Sequence, residues 1–275
     1  MKADPVIPPI FLDMCLDLNS PSYVTQRARR SAPPSDGGET GTMNQTWEPL
    51  ATGVYRCRLA FLDVTVGLVL GRNGVLLIDS GTTFDEARGI DDDVRTLDER
   101  GVSHLVLTHD HFDHILGSAV FTDAGVYCMP AVAETMAHRT EHIRAHALSY
   151  GAAPADIDAV IAAIRLPRHL VTRADIDLGD RTVEVVFAGV GHTDHDLVVR
   201  VPGMRDTDPT VLFCGDLVEE SADPAVTEES DAAQWSVTMD RLLALGGPDG
   251  IYVPGHGAVV DAAFVRRQQR WLKGL

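Results

Sequence analysis

The sequence predicts an α/β chain, because patterns typical of strands and of helices alternate along most of its length. Apolar runs at residues 55–59, 64–70 and 75–78 indicate strands, and Arg72-Asn73-Gly74 supplies a hairpin turn. Later apolar runs alternate with segments of helical periodicity. The roughly 230 residues from 47 to 275 are enough for a dense core, either in one large domain or in two fused halves.

Residues 1–46 differ in kind from the rest of the chain. They include a run of Pro, Ser and Gly at 31–38 and show no sustained periodicity. We therefore expect a flexible N-terminal extension over 1–46 and a folded domain over 47–275. Pro8-Pro9 interrupts the apolar residues between 6 and 18, which argues against a signal-peptide core or a membrane span there. An alternative is that the natural protein starts at Met43.

The most informative stretch is Thr108-His109-Asp110-His111-Phe112-Asp113-His114, which directly follows an apolar run. Imidazole nitrogen and carboxylate oxygen are zinc ligands, and such groups without a metal would be poorly paired beside a core. In an extended stretch alternate side chains share a face, so His109 and His111 can reach one metal while Asp110 points elsewhere. Asp113 and His114, at the start of the following helix, can reach a second metal.

Three more candidate ligands each follow a strand-like run and a glycine. They are His192 after Gly191, Asp216 after Gly215, and His256 after Gly255. Glycine lets the backbone turn tightly and approach a metal closely. Each dipeptide alone is an ordinary turn, and only its combination with the first motif indicates a shared site.

The order of these motifs resembles the metallo-β-lactamase superfamily from about residue 47 to the C-terminus. In that family an acidic residue closes an early strand, as Asp79 does here. A His-x-His-x-Asp-His turn, a Gly-His-Ser/Thr turn, a Gly-Asp and a Gly-His then follow, as they do in this chain. The resemblance implies a four-layer αβ/βα sandwich, in which two mixed sheets pack face to face and helices cover the outside.

The resemblance also implies two Zn²⁺ ions, with Fe or Mn at one or both positions as the alternative. It places one ion on His109, His111 and His192 and the other on Asp113, His114 and His256, with Asp216 bridging both. Asp79 would hold the ligand turns by hydrogen bonds, an outer contact that changes metal affinity roughly 10- to 100-fold. A strand-end cap without effect on the site is the alternative role for Asp79.

Two departures from the family pattern bear on these assignments. His195 follows His192 closely, so two imidazoles compete for one ligand position. We assign the ligand to His192, because it comes directly after glycine. Antibiotic-hydrolysing members of the family commonly lack a bridging carboxylate where this chain has Asp216, and some use a cysteine. This second departure lowers the expectation of β-lactamase activity.

The chemistry follows from the expected pair of metal ions. Two divalent ions about 4 Å apart lower the pKa of a shared water to about 7 and direct the resulting hydroxide at the substrate. Asp113 or Asp216 can take or give a proton in that reaction. We therefore expect a hydrolase of a small ester, thioester or lactone. The alternatives are a β-lactam hydrolase, an oxidoreductase that oxidises a persulfide with one iron, and a binding protein without turnover.

Net charge and cysteine content limit the classes of partner and the cellular compartment that we expect. The net charge of −17 opposes binding of nucleic acid, which relies on clustered Lys and Arg. The basic residues near the C-terminus are more typical of a solvated helix face. We expect a small-molecule substrate, no nucleic acid and no membrane partner, and leave the oligomeric state open. Four scattered cysteines favour a reduced, cytoplasmic setting.

A helical insertion is expected at about 131–175, where members of the family often cover the active site. Its His138, His142 and His146 repeat every four residues and should form one stripe on a helix that ends near Tyr150. Such a stripe is more typical of a solvated or pocket-facing edge than of a third metal site. Residues 155–164 are apolar on one side and would suit an apolar acyl or ring substrate.

Overall fold

Two mixed β-sheets form the centre of the computed structural model, which describes residues 43–275. The first sheet has seven strands in chain order: β1 (Glu48–Ala51), β2 (Val54–Arg58), β3 (Thr65–Leu70), β4 (Val75–Ile78), β5 (His104–Val106), β6 (Gly125–Cys128) and β7 (His169–Leu170). Strands β1 to β4 pair antiparallel, and β4 to β7 pair parallel.

The second sheet has five strands in the order β12-β11-β10-β9-β8. They are β8 (Arg173–Asp177), β9 (Thr182–Phe187), β10 (Leu197–Val201), β11 (Val211–Glu219) and β12 (Ile251–His256). All neighbours pair antiparallel except β11 and β12, which run parallel. Both sheets are therefore mixed, as expected.

Helices cover the outer faces of both sheets. Those over the first sheet are α1 (Phe84–Leu97), α2 (Phe112–Ile115), a 3-10 helix (Leu116–Val120), α3 (Pro130–His138), α4 (Thr140–Ser149) and α5 (Pro154–Ala162). Those over the second sheet are α6 (Ala232–Gly246) and α7 (Ala262–Leu272). None of the helices within 43–275 is long and apolar enough to cross a bilayer.

Alternation along the strands produces three apolar layers. Leu76 and Ile78 of β4 face Val199 and Phe213 across the space between the sheets. Leu77, one residue out of phase, packs outward under the helices of the first sheet, because successive strand residues point to opposite faces. A third cluster around Trp235 packs α6 and α7 on the second sheet. The predicted four-layer αβ/βα sandwich is thus confirmed.

Parallel strands bring the candidate ligands to one edge of the sandwich. β4 and β5 run side by side with Ile78 opposite Val106, so Asp79 and the turn after β5 follow the same edge. This is the edge at which ligands bind in open α/β sheets, beyond the carboxyl ends of the strands. In the second sheet, β11 contains Asp216 and β12 ends at His256.

A glycine permits the close approach of β11 and β12 at this edge. A Cβ added at Gly255 would overlap Oδ1 of Asp216 and the backbone of Gly215. Gly215 has φ of 52°, a left-handed conformation that glycine adopts without strain. The Gly-Asp and Gly-His dipeptides therefore meet because neither glycine carries a side chain.

The helical insertion differs from its expected form. Strands β7 and β8 occupy the last part of 131–175, and the helices end at Ala162. The single histidine stripe is wrong, because the helix breaks at Arg139 (φ −122°, ψ 30°) and separates His138 from the histidines of α4. The apolar substrate surface is also wrong, since Ile157 and Val160 of α5 are fully buried in the core.

The start of the described chain is anchored to α1. The backbone N–H groups of Asn44 and Gln45 donate to the two carboxylate oxygens of Asp93, at 2.6 and 2.7 Å. Trp47 Nε1 also donates to Asp93. Residues 1–42 of the expected flexible extension over 1–46 lie outside the described part of the chain. The alternative start at Met43 stays a prediction.

Candidate metal centre

Seven side chains converge at the edge described above, in two sets. The mouth set comprises His109, His111 and His192, and the inner set comprises Asp113, His114 and His256. Within each set, potential ligand atoms lie within 4.8 Å of one another, and Asp216 joins the mouth set at this distance. The sequence analysis named these seven residues as ligands, and the structure brings all of them together.

Asp216 lies between the two sets. Its Oδ2 is 3.6 Å from Nε2 of His192 in the mouth set and 3.3 Å from Nε2 of His256 in the inner set. Its Oδ1 is 3.3 Å from Nε2 of His114. A carboxylate in this position is placed to contact an ion in either set, which is the geometry expected of a bridging ligand.

Carbonyl oxygens fix the proton positions of two imidazoles. Nδ1 of His256 donates to the carbonyl of Leu62 at 2.8 Å, and Nδ1 of His192 donates to the carbonyl of Ala225 at 3.2 Å. Because a carbonyl only accepts, the proton of each neutral ring is on Nδ1. Both rings therefore direct the lone pair of Nε2 into the centre, as metal-binding histidines do.

Asp79 orients the ring of His114, as the two carbonyls orient His192 and His256. It also holds the ligand turn, residues 108–114. Its Oδ2 is 2.9 Å from Nδ1 of His114, and both carboxylate oxygens accept hydrogen bonds from Thr108, at 2.8 and 2.9 Å. Asp79 adopts a left-handed φ of 59°, which is uncommon outside glycine. The expectation that Asp79 holds the ligand turn is confirmed.

The donor geometry fits a bound cation. Nε2 of His114 and Nε2 of His256 are 3.4 Å apart, and Nε2 of His192 is 3.1 Å from Nδ1 of His111. Two nitrogens this close need either a proton or a bound cation between them, and the adjacent carboxylate favours either positive charge. Nε2 of His109 is buried and finds no hydrogen-bond partner among residues 43–275. An ion bound in the centre would satisfy this atom.

The pKa values of the imidazoles depend on burial and on the carboxylates. Burial lowers the pKa of His192 to about 3 and holds that of His109 well below its usual range. Burial also opposes charge on His114, but Asp216, Asp113 and Asp79 outweigh it and raise the pKa of His114. His109 and His192 are therefore neutral near pH 7, the state that binds a metal.

Glu229 is a residue of the site that the sequence analysis missed. Its Oε2 is 3.7 Å from Nε2 of His111, and its other oxygen is 3.8 Å from Arg139 at the break between α3 and α4. Burial opposes charge on His111, but the contact with Glu229 and nearby carboxylates raise its pKa. Glu229 has no glycine or strand pattern beside it, so no local signal marked it.

His195 is not part of either set, which resolves the competition with His192. Its Nε2 lies 3.0 Å from Oδ1 of Asp110, the residue expected to point away from the metals. Burial disfavours charge on His195, but Asp110 and Asp194 overcome it and raise its pKa to about 9. His195 is therefore a charged partner of Asp110, and His192 keeps the candidate ligand position.

A group of aromatic side chains lies beside His111. The ring of His146, on α4, lies 5.2 Å from the ring of His111 and 5.2 Å from that of Phe112. Tyr150 packs edge-on against His146 at 5.3 Å, and Phe61 lies 6.5 Å from Phe112. Of His138, His142 and His146, the last is the one next to the candidate metal centre.

Comparisons with known proteins agree with this geometry. A sequence model of the metallo-beta-lactamase superfamily matches residues 59–256. A metallo-beta-lactamase type 2 from Bacillus cereus is 25% identical over 202 residues, which cover 72% of this chain and 69% of the relative. A second metallo-beta-lactamase type 2, from Bacillus sp. (strain 170), is also 25% identical over 202 residues, with the same coverage of both chains.

The fold is also similar to that of solved structures. A metallo-beta-lactamase from Pontibacter korlensis superposes with a TM-score of 0.64 at 20% identity, over 84% of this chain and 100% of that one. At this identity the likeness concerns the fold alone. The sequence match and the two buried His/Asp sets lead to the same conclusion. The chain belongs to the metallo-β-lactamase superfamily of metal-dependent hydrolases.

Proposed function

We propose that the chain is a hydrolase with two metal ions that opens a β-lactam ring. The main support for two metal ions is the position of Asp216, whose carboxylate lies within 3.6 Å of a histidine of each set. Five imidazoles and two carboxylates are a donor set that suits zinc, and we propose Zn²⁺ as the resident metal. Bound ions of this kind would polarise the substrate carbonyl and lower the pKa of water to about 7.

The carboxylates of the centre are the groups that can move a proton. Oδ2 of Asp113 lies 3.5 Å from Nε2 of His256, so this carboxylate faces the same space as the inner imidazoles. In that position Asp113 accepts the proton of the attacking water and returns it to the leaving nitrogen. Asp216 faces the same space, but His256 and His114 hold its pKa well below the usual range despite burial, which makes it a weak proton acceptor.

The choice of substrate rests on the relatives. Two proteins named metallo-beta-lactamase type 2 match 72% of this chain at 25% identity. They favour a β-lactam over the ester, thioester or lactone that the sequence analysis ranked first. The aromatic residues beside His111 would contact a ring system on the accessible side of the centre.

Hydrolysis of a lactone, ester or thioester is the second candidate. The observation that favours it is Asp216 itself, a bridging carboxylate that antibiotic-hydrolysing members of the family commonly lack. The same attack on a carbonyl carbon serves both substrate classes, and only the leaving atom differs. We further propose a small-molecule substrate and a reducing compartment, since Cys57, Cys128 and Cys214 are buried free thiols.

Metal analysis and a substrate panel test this proposal together. Protein purified without added metal should contain about two zinc ions per chain. It should hydrolyse a chromogenic β-lactam faster than matched lactone, ester and thioester substrates. A reversed order would favour the second candidate. One iron per chain, with oxygen uptake in the presence of a persulfide, would contradict hydrolysis, and full metal loading without turnover of any substrate would support a binding protein.

A further inference from the structure

A buried ion pair joins the two turns that carry the mouth set. Oδ1 of Asp110 lies 3.0 Å from Nε2 of His195, and both residues are more than nine-tenths buried. Asp110 stands between His109 and His111 in the chain, and His195 follows His192 by three residues. The pair therefore links the turn that carries His109 and His111 to the turn that carries His192.

Both members of the pair are held from other directions as well. Thr135 of α3 donates a hydrogen bond to Oδ2 of Asp110 at 2.7 Å. Nδ1 of His195 is 2.7 Å from Asp194, and its backbone N–H donates to the hydroxyl of Thr193 at 3.2 Å. Rotation of either side chain would break these contacts, so the ion pair is held in place from both sides.

Two histidines of the inner set have supports of their own. His114 is held by Asp79 at the end of β4, and His256 by the carbonyl of Leu62. These contacts come from the first sheet and its loop, not from the turn that contains His195. A change at Asp110 or His195 should therefore affect one set of ligands more than the other.

We propose that Asp110 and His195 are positioning residues that set the affinity of the mouth set for its metal ion. The proposal rests on the metal centre proposed above. Loss of one partner leaves the other as an uncompensated buried charge, so the two turns would shift relative to each other. Outer contacts of this kind change metal affinity by roughly 10- to 100-fold.

Zinc dissociation constants of the full chain test the proposal without any substrate. Stepwise constants would be measured by competition with a chromophoric chelator for the parent, Asp110→Asn, His195→Gln and the double variant. We expect the weaker zinc step to lose roughly 10- to 100-fold in affinity in each single variant, while the tighter step changes little. The double variant should lose less than the product of the two single effects, because both remove one interaction.

Asp93→Asn is the matched control. Asp93, on α1, is also a buried carboxylate that accepts several hydrogen bonds, and its partners are Asn44, Gln45 and Trp47, none of which is a candidate ligand. This variant should lower the unfolding temperature and leave both zinc constants unchanged.

Three results would overturn the proposal. They are unchanged zinc constants in the Asp110 and His195 variants, equal weakening of both zinc steps, and a similar loss in Asp93→Asn. A parent protein that binds no zinc would instead overturn the proposed metal centre and this inference with it.

Discussion

The inner set and the mouth set are built differently, although each contributes three side chains. The side chains of His114 and His256 are fully buried, and their outer nitrogens face an aspartate at a strand end and a backbone carbonyl. In the mouth set, the side chain of His111 is 14% exposed, and its outer nitrogen faces Glu229, which is itself 37% exposed. One set is thus held by the core and the other partly by a surface loop.

This difference in burial predicts different roles for the two sets of ligands. Buried carboxylates and carbonyls hold imidazoles in one orientation, whereas exposed partners compete with water and are screened by salt. The loop that carries Glu229 is tied down by Ser230, whose hydroxyl donates to the carbonyl of His192 at 2.8 Å. We expect the inner set to bind the tighter ion and the mouth set to be the side from which substrate approaches.

Asp216→Ala should have the largest effect, because Asp216 contacts both sets. We expect turnover to fall by about 1,000-fold or more and the zinc content to fall from two ions toward one. Steady-state kinetics and metal analysis after gel filtration measure the two outcomes. An unchanged ratio of zinc to protein with an unchanged rate would show that Asp216 does not bridge the sets.

His111→Ala and His114→Ala form a pair that tests the contrast between the sets. Both should abolish hydrolysis, but His111→Ala should retain the tighter zinc ion and nearly the parent unfolding temperature. His114→Ala should lose the tighter ion and about 2–5 kcal/mol of stability, because it removes a buried partner of Asp79. Metal titration and thermal unfolding distinguish the variants. Equal losses in both would refute the division into a tight and a weak position.

Substitution of Asp79 and Glu229, which contact the outer nitrogens of His114 and His111, should change zinc affinity in the same unequal way but by less. Asp79→Asn should weaken the tighter zinc step by roughly 10- to 100-fold, whereas Glu229→Gln should weaken zinc binding less than about 10-fold. The effect of Glu229→Gln should also shrink at high salt, since its side chain is partly exposed. Chelator competition at low and high salt measures both variants, and a larger effect for Glu229→Gln would reverse the comparison.

The smallest predicted effect is the pH dependence that His195 gives to the metal-free protein. Its pKa is raised from 6.5 to about 9, so its stabilising charge is fully present below pH 6.5 and is lost as the pH rises through about 9. We expect His195→Gln to cost roughly 1–3 kcal/mol at pH 6 and much less at pH 9.5. Urea unfolding of the parent and of the variant in the presence of a chelator measures this difference in stability. An equal loss of unfolding free energy in His195→Gln at pH 6 and at pH 9.5 would contradict the charged pair.

The sequence determined much of the centre because its donors follow local rules. A strand followed by a His-x-His-x-Asp-His turn fixes which side chains share a face, and glycine before His192, Asp216 and His256 marks close backbone approach. Alternating strand and helix patterns likewise predicted an α/β chain. In each of these cases the cause lies within a few residues of its effect, whereas the two sheets and their layers were implied only by the resemblance to the superfamily.

Only the tertiary structure decided the features that depend on distant contacts. Glu229 reaches His111 across more than a hundred residues of chain, and His195 pairs with Asp110 rather than competing with His192. The apolar side of α5 proved to be core, because periodicity shows which residues share a face and not what that face meets. Local geometry therefore set the ligands, and long-range packing set the partners that hold them in place.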